Sequence, residues 1–142
     1  PAVVAGGGAV ELELARRLRS FAQSLSGREQ LVINAYAEAL EVIPTILAEN
    51  CGMDPIDTLT DLRSRHEKGE LWSGINALKG EIADMMGLNV LEPSLVKEQI
   101  IKSSTEAACM ILKIDDIIAA TRMKEEEEKK PEEEKGEESS EL

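Results

Sequence analysis

A chain of 142 residues has room for one domain or part of one, at roughly 100 to 200 residues per domain, and excludes two independent cores. Hydrophobic residues make up 42% but aromatic ones only 2%, Phe21, Tyr36 and Trp72, so Leu, Ile, Val, Ala and Met must fill any core. With 28 acidic against 16 basic residues the net charge is −12, half of it in the ten Glu and four Lys of Lys124 to Leu142; this excludes a broad basic footprint for nucleic acid or an anionic membrane and leaves open a local anion site.

In chain order, Pro1-Ala-Val-Val-Ala reads as a strand leading into Gly6-Gly7-Gly8, after which Val10, Leu14, Leu18, Phe21 and Leu25 recur at helical spacing. Ser26 with Glu29 has the form of a capping box opening a second helix. Its apolar positions include Leu31, Ala35, Ala39, Val42, Ile43, Ile46 and Leu47, a wide stripe that predicts a central helix. Pro44 is expected to kink that helix or to open a new one, and Gly52 to end it in a left-handed cap.

Asp54-Pro55 signals the cap and first turn of a third helix carrying Ile56, Leu59 and Leu62; it closes at Gly69, with Arg63, Arg65, His66 and Lys68 at the carbonyl end of its dipole. Leu71 to Ile75 and Glu81 to Ala83 read as the two short strands of a hairpin. Pro93 opens a long helix whose buried side is expected to be Leu95, Val96, Ile100, Ile101, Ala107, Ala108, Ile111 and Leu112, followed by a short strand over 114–118. From Lys124 onward, Glu runs with few apolar groups cannot offset an ordering entropy of about 1–2 kcal/mol per residue, which predicts a disordered acidic tail.

No run approaches the about 20 apolar residues of a bilayer span, and the first residues lack the order of a secretory signal. Cys51 and Cys109 are too few and too far apart for a disulfide framework or a four-ligand metal site, which fits a reducing, cytoplasmic setting. A start at Pro1, directly on an apolar stretch, is expected of an excerpt from a longer chain.

The Gly6-Gly7-Gly8 turn lets the backbone approach a ligand or another chain closely, and the helix after it points free amides at whatever sits there. It is neither the dinucleotide fingerprint nor a phosphate loop ending in Lys-Ser/Thr, so alone it reads first as a structural turn. His66 has no nearby Cys, His or paired partner to make a metal site or triad and is expected to be a surface cation near a helix end. Asp54, Asp57, Asp61, Asp84, Asp115 and Asp116 read as caps or as hairpin and sheet residues, and none is nominated as catalytic.

Six segments taken together carry more: Val4 to Glu11, Gly27-Arg28-Glu29-Gln30, Leu47 to Gly52, Gly74-Ile75-Asn76-Ala77-Leu78, Glu92 to Lys97, and Thr105 to Ile118. In this order, from about Val3 to Ala120, they resemble the C-terminal part of a group II chaperonin subunit, the class of the archaeal thermosome and its eukaryotic cytosolic relative. The resemblance implies a mainly α fold: residues 1–123 as the C-terminal part of the equatorial ATP-binding domain, helical with a small β-hairpin, and 124–142 as a disordered acidic tail. It implies nucleotide contacts from Gly6, Gly7 and Gly8, an adenine-side wall from Asn76, Ala77 and Leu78, ribose binding by Glu92, and Lys97 near the same pocket. The implied cofactors are ATP or ADP with Mg²⁺, whose ligands lie mainly elsewhere. The implied partners are other subunits in a double ring and non-native protein clients, with no nucleic acid and no membrane.

Chemistry supports these roles and also supplies ordinary ones. A carboxylate has lone pairs for two ribose hydroxyls, yet an acid beside Pro93 also suits a helix dipole. Asn76 is equally a turn residue, Ala77 and Leu78 plain core, and Lys97 a solvated lysine. Where the family generally has Gly before its Val-Ile-Glu-Pro stretch, this chain has Asn89 before Val90-Leu91-Glu92-Pro93; Asn tolerates left-handed φ, so the turn is expected to survive. The family's Gly-Asp-Gly-Thr-Thr phosphate loop and its activating Asp are not in the sequence, so the chain by itself is expected not to hydrolyse ATP. The alternative is a non-enzymatic helical scaffold or adaptor whose acidic tail binds a basic partner.

Overall fold

The computed structural model describes residues 2–115. Strand β1 (Val3–Ala5) leads through the glycine turn into α1 (Ala9–Ala22), followed by α2 (Arg28–Asn50), α3 (Pro55–Glu67), the hairpin strands β2 (Ser73–Asn76) and β3 (Glu81–Asp84), then β4 (Leu91–Pro93) and α4 (Ser94–Leu112). The expected mainly α architecture with a small hairpin is what forms. The sheets are two antiparallel pairs: β2 with β3, Ser73 opposite Asp84 and Asn76 opposite Glu81, and β1 with β4, Val3 opposite Pro93 and Ala5 opposite Leu91.

Several local signals act as read. Asp54 Oδ1 accepts the amides of Ile56 and Asp57, each at 2.9 Å, and starts α3. Gly52 and Gly69 follow α2 and α3 at φ 73° and 94°. Asn89 is at φ 56°, keeping the turn open to β4.

Other expectations are corrected. Gly27, not Ser26, is the N-cap of α2 and makes no side-chain cap bond; with the helix starting at Arg28, Ser26 and Glu29 are one position early for a capping box. The helix runs through Pro44, which is fully buried. Pro93 ends β4 and precedes α4. Ile114 and Asp115 lie outside any strand, and 116–118 and the acidic tail fall outside the described residues. By length and composition α2 is long and apolar enough to cross a membrane, its most apolar window having a mean hydropathy of 1.5, although no such run was expected. Here α2 is a central helix, packed on α1 and α3.

The covered faces are not the large aliphatic stripes. Helix α1 buries Ala9, Glu11, Leu12, Ala15 and Ala22 while Phe21 stays exposed; α2 buries Ala37, Glu41, Pro44 and Ala48 and leaves Leu31, Val42, Ile43 and Ile46 exposed. Small side chains let the helices approach closely. No residue of α4 is buried, against the eight expected. The core is correspondingly compact: Leu12, Ala48, Leu62 and Ile75 in one cluster, with Leu47, Met53, Leu59 and Ile82 against it, and Ala5, Ala9 and Met85 in another.

Buried charge joins the helices. Glu41, on α2 and only 4% exposed, is bonded through both oxygens to Arg19 of α1 and to Arg63 of α3, the latter at 2.5 and 3.0 Å. Burial opposes its ionisation, but the two guanidiniums outweigh burial and hold its pKa below the usual value. Glu13 of α1 is held at about 2, chiefly by Arg16 against the opposing effect of burial, and further by Arg17 and His66. Carboxylates with depressed folded-state pKa values stabilise above their usual value of 4.5, and that contribution is lost as pH falls. Urea stability of the chain is therefore expected to decline from pH 4.5 towards pH 2, and Glu13→Gln to flatten that decline. Glu41→Gln, which strands two partly exposed arginines, is expected to lower stability by about 2–3 kcal/mol at pH 7, below the loss for a fully desolvated pair.

Candidate functional site

The glycine turn is held on three sides. The amide of Gly6 donates to Val90 O at 2.8 Å, continuing the β1–β4 pair, and the carbonyl of Gly7 accepts the amide of Ile75 at 2.8 Å, tying the turn to β2. Gly7 and Gly8 have φ 65° and 78°, and Gly8 is the N-cap of α1 with no side chain to cap it. A Cβ on Gly7 would lie 2.8 Å from both Ile75 O and Met85 Sδ, and one on Gly8 2.9 Å from Pro44 Cβ. On the other side of the contact, a Cβ on Gly74 would lie 2.9 Å from Gly7 O. The bare Cα atoms of Gly7, Gly8 and Gly74 thus admit the protein's own backbone and Pro44. A Cβ on Gly6 would come 3.1 Å from Val90 Cγ1 and 3.3 Å from Glu92 Oε1, which makes Gly6 the turn residue beside the acid.

Glu92 sits in β4 opposite Val4, and its Oε2 lies 2.7 Å from Lys97 Nζ. Lys97, one turn into α4, also donates to Glu11 Oε1 at 2.6 Å. Burial pulls the Lys97 pKa down, but the two carboxylates outweigh it and hold it above the usual lysine value. Glu11 is 3% exposed and its Oε2 has no hydrogen-bond partner among the described residues. Glu11 also occupies the first turn of α1, where the helix dipole favours an acid. Lys97 is therefore a bridge between α1, β4 and α4, not the solvated lysine of its ordinary reading. Sequence spacing gave no signal for Glu11 in this role, since it lies 86 residues from Lys97.

The hairpin completes the arrangement. Asn76 follows Ile75, whose amide the turn holds; it is 9% exposed, and its Oδ1 accepts the amide of Leu78 at 3.2 Å, fixing the bend. Ala77 is exposed and Leu78 is 98% exposed, so neither is core. The structure thus brings Gly6, Gly7, Ile75–Asn76, Glu92 and Lys97 into one contiguous neighbourhood. It leaves Leu78 projecting from the hairpin bend, three residues along from the contact with the turn.

The charge of this neighbourhood is ill suited to a phosphate chain. Two carboxylates flank one ammonium, so it carries an excess of negative charge, while Glu92 offers a partly exposed acceptor and Leu78 an uncovered apolar surface. Among the described residues no group of three His, Cys, Asp or Glu could hold a metal ion. A cleft of about 390 Å³ lies between α1, α2 and α3 and is lined by Leu12, Arg19, Glu41, Arg63 and His66 among others, none of them nominated from sequence. His66 itself is corrected: it is 1% exposed, and its ring lies between Glu13 and the carbonyl of Ser73.

Residues 1–122 match the TCP-1/cpn60 chaperonin family. The chain is 62% identical over 118 residues to thermosome subunit alpha of Sulfolobus acidocaldarius, covering 82% of this chain and 21% of that one. It is 57% identical over 117 residues to a thermosome subunit of Methanocaldococcus jannaschii, at 81% and 21% coverage. Among solved structures, the open-state monomer of a group II chaperonin from Methanococcoides burtonii is similar with a TM-score of 0.77 and 53% identity, over 79% of this chain and 28% of that one. The chain belongs to the TCP-1/cpn60 chaperonin family, and its similarity is to group II members. It spans about a fifth of the length of the curated relatives it matches.

The close approach of turn to strand is testable without any ligand. Gly7→Ala combines left-handed φ with an overpacked Cβ and is expected to lower urea stability by about 2–4 kcal/mol, whereas Gly52→Ala, with nothing within 4 Å, carries only the backbone penalty of about 1–2 kcal/mol. Equal losses at the two positions would show that the contact with Ile75 and Met85 contributes little.

Proposed function

We propose that this chain supplies the base and ribose side of the ATP site of a group II chaperonin subunit, an ATP-dependent chaperone that acts on non-native proteins in the cytoplasm as a double ring. In this reading residues 1–123 are the C-terminal part of the equatorial domain, which also furnishes ring contacts, and 124–142 form a disordered acidic tail. Glu92 accepts the ribose hydroxyls, with Lys97 holding its second oxygen. Asn76, Ala77 and Leu78 form the wall beside the adenine. The backbone of Gly6, Gly7 and Gly8 borders the sugar, and Mg²⁺ and the phosphates are held mainly by groups outside this sequence. The observation that carries the reading is the convergence of the glycine turn, the hairpin and the acid before Pro93, held by the Gly7–Ile75 bond and by the approach of Glu92 to Gly6.

Phosphoryl transfer depends on positioning and on neutralising the transferred group, and the phosphate-side parts are not in this sequence. Isothermal titration of the chain with ADP and Mg²⁺ is accordingly expected to give weak or undetectable binding; tight one-to-one binding would overturn this division of labour. In a ring-forming full-length subunit carrying this sequence, Glu92→Gln is expected to weaken ATP binding about tenfold to a hundredfold, the range for hydrogen bonds to a charged group. The same variant should leave binding of 2′,3′-dideoxy-ATP nearly unchanged, since that nucleotide lacks the hydroxyls. A uniform loss on both nucleotides would remove Glu92 from the ribose.

A further inference from the structure

Glu11 lies in the first turn of α1, directly downstream of the glycine turn, and its side chain is 3% exposed. An acid buried there without a cation would be strongly disfavoured, and Lys97 supplies the cation, Nζ donating to Oε1 at 2.6 Å. Glu92 Oε2 lies 2.7 Å from the same nitrogen. Side-chain exposure rises from Glu11 to Lys97 at 13% and Glu92 at 37%, so the ammonium is anchored from the inside and Glu92 is the member open to a ligand. The contacts close on themselves. The Gly6 amide is bonded to Val90 O just before β4, Glu92 of β4 meets Lys97, and Lys97 returns through Glu11 to the helix that leaves the turn. Within that loop Oε2 of Glu92 is the oxygen beside the ammonium, and Oε1 is the one 3.3 Å from where a Gly6 Cβ would stand.

We propose that Glu11 is a positioning residue for the nucleoside site: by fixing the Lys97 ammonium beside Oε2 of Glu92, it keeps Oε1 turned towards the glycine turn, where the ribose hydroxyls arrive. The role rests on the ribose assignment of Glu92. A lysine on its flexible stem, paired with one acid alone, has no preferred oxygen and follows whichever rotamer that acid takes. Held also by a buried acid on α1, it has one position. Oε2 of Glu11 has no hydrogen-bond partner among the described residues, so among them no second donor competes with Lys97 for this acid. The two acids outweigh the effect of burial on Lys97 and hold its pKa above the usual value, which keeps the bridge charged through neutral pH. One ammonium shared between two acids also neutralises Glu92 incompletely and leaves Oε1 a strong acceptor.

The hold on Lys97 is read first without nucleotide. In the 142-residue chain, reductive methylation followed by mass spectrometry is expected to modify Lys97 slowly beside Lys79, whose side chain is 69% exposed. Glu11→Gln, which keeps the shape and removes the charge, should accelerate modification of Lys97 and not of Lys79. The effect on the site is read in a ring-forming full-length subunit carrying this sequence, as the ratio of its affinities for ATP and 2′,3′-dideoxy-ATP. Glu11→Gln is expected to lower that ratio about threefold to tenfold, within the range for coupled neighbours. Lys97→Met should lower it to a similar extent, and the double variant no further than the larger single loss. A purely architectural role for Glu11 would weaken both nucleotides equally; an unchanged ratio in either single variant, or unchanged methylation of Lys97 in Glu11→Gln, would overturn the proposal. If Glu92→Gln lowers the ratio and Glu11→Gln does not, the role of Glu11 alone fails. If Glu92→Gln leaves the ratio intact, the ribose assignment fails and the role of Glu11 falls with it.

Discussion

The contact on which this molecule turns is the approach of two backbones near Gly7. Its carbonyl takes the amide of Ile75, and neither side of the contact tolerates a Cβ: Gly7 would strike Ile75 O, and Gly74 would strike Gly7 O. From that one closure follow the direction in which α1 leaves the turn, the seating of Gly8 on Pro44, and the position of the hairpin. The Gly6–Val90 bond continues from β1 into β4 on the other flank, so the same turn brings Glu92 beside Gly6. The glycine run is thus first an architectural device. Its closeness to Glu92 and the hairpin is a consequence of building the turn between two strands.

Charge organises the rest, by pairing and not by excess. Three carboxylates of the helical body each join elements: Glu41 joins α2 to α1 and α3, Glu13 joins α1 to α3 through His66, and Glu11 joins α1 to β4 and α4 through Lys97. Each buried acid has a cation against it, as burial of a charge demands. Glu11 retains one oxygen without a partner, so the Lys97 bridge is the least complete of the three. A net charge of −12 describes the exterior and the tail; it is silent about these pairs, which are locally balanced or nearly so.

How much of this was legible in the sequence depends on the range of the interaction. Caps and turns act over a few residues, and Asp54, Gly52, Gly69 and Asn89 behave as their chemistry dictates. The Ser26–Glu29 box failed by a single position, because a motif of fixed spacing has no meaning once the helix starts elsewhere. Partnerships across 22, 53 and 86 residues, Arg19 with Glu41, His66 with Glu13 and Lys97 with Glu11, left no trace in local spacing. His66 was read as a surface cation for that reason. The neighbourhood of Gly6, Asn76 and Glu92 was accessible only through resemblance to a family, since nothing in the residues alone relates positions so far apart.

The helical faces carry the same lesson in apolar form. Periodicity located real stripes on α1, α2 and α4, but periodicity says that a face is apolar, not that a neighbour within the chain covers it. What α1 and α2 press together are alanines, Glu41 and Pro44, a flat surface suited to close approach, while Leu31, Val32, Val42, Ile43 and Ile46 remain open. On α4 the consequence is sharper: Leu95, Val96, Ile100, Ile111 and Leu112 are all exposed, so burial contributes little to holding it. Beyond its junction with β4, α4 is held by polar ties, Lys97 to Glu11 and Glu92 at one end and the Tyr36 hydroxyl to Thr105 at 2.6 Å further along. A helix fixed by a few directional bonds owes its orientation to them. Lys97 therefore both anchors α4 and sets the oxygen of Glu92 that faces the glycine turn.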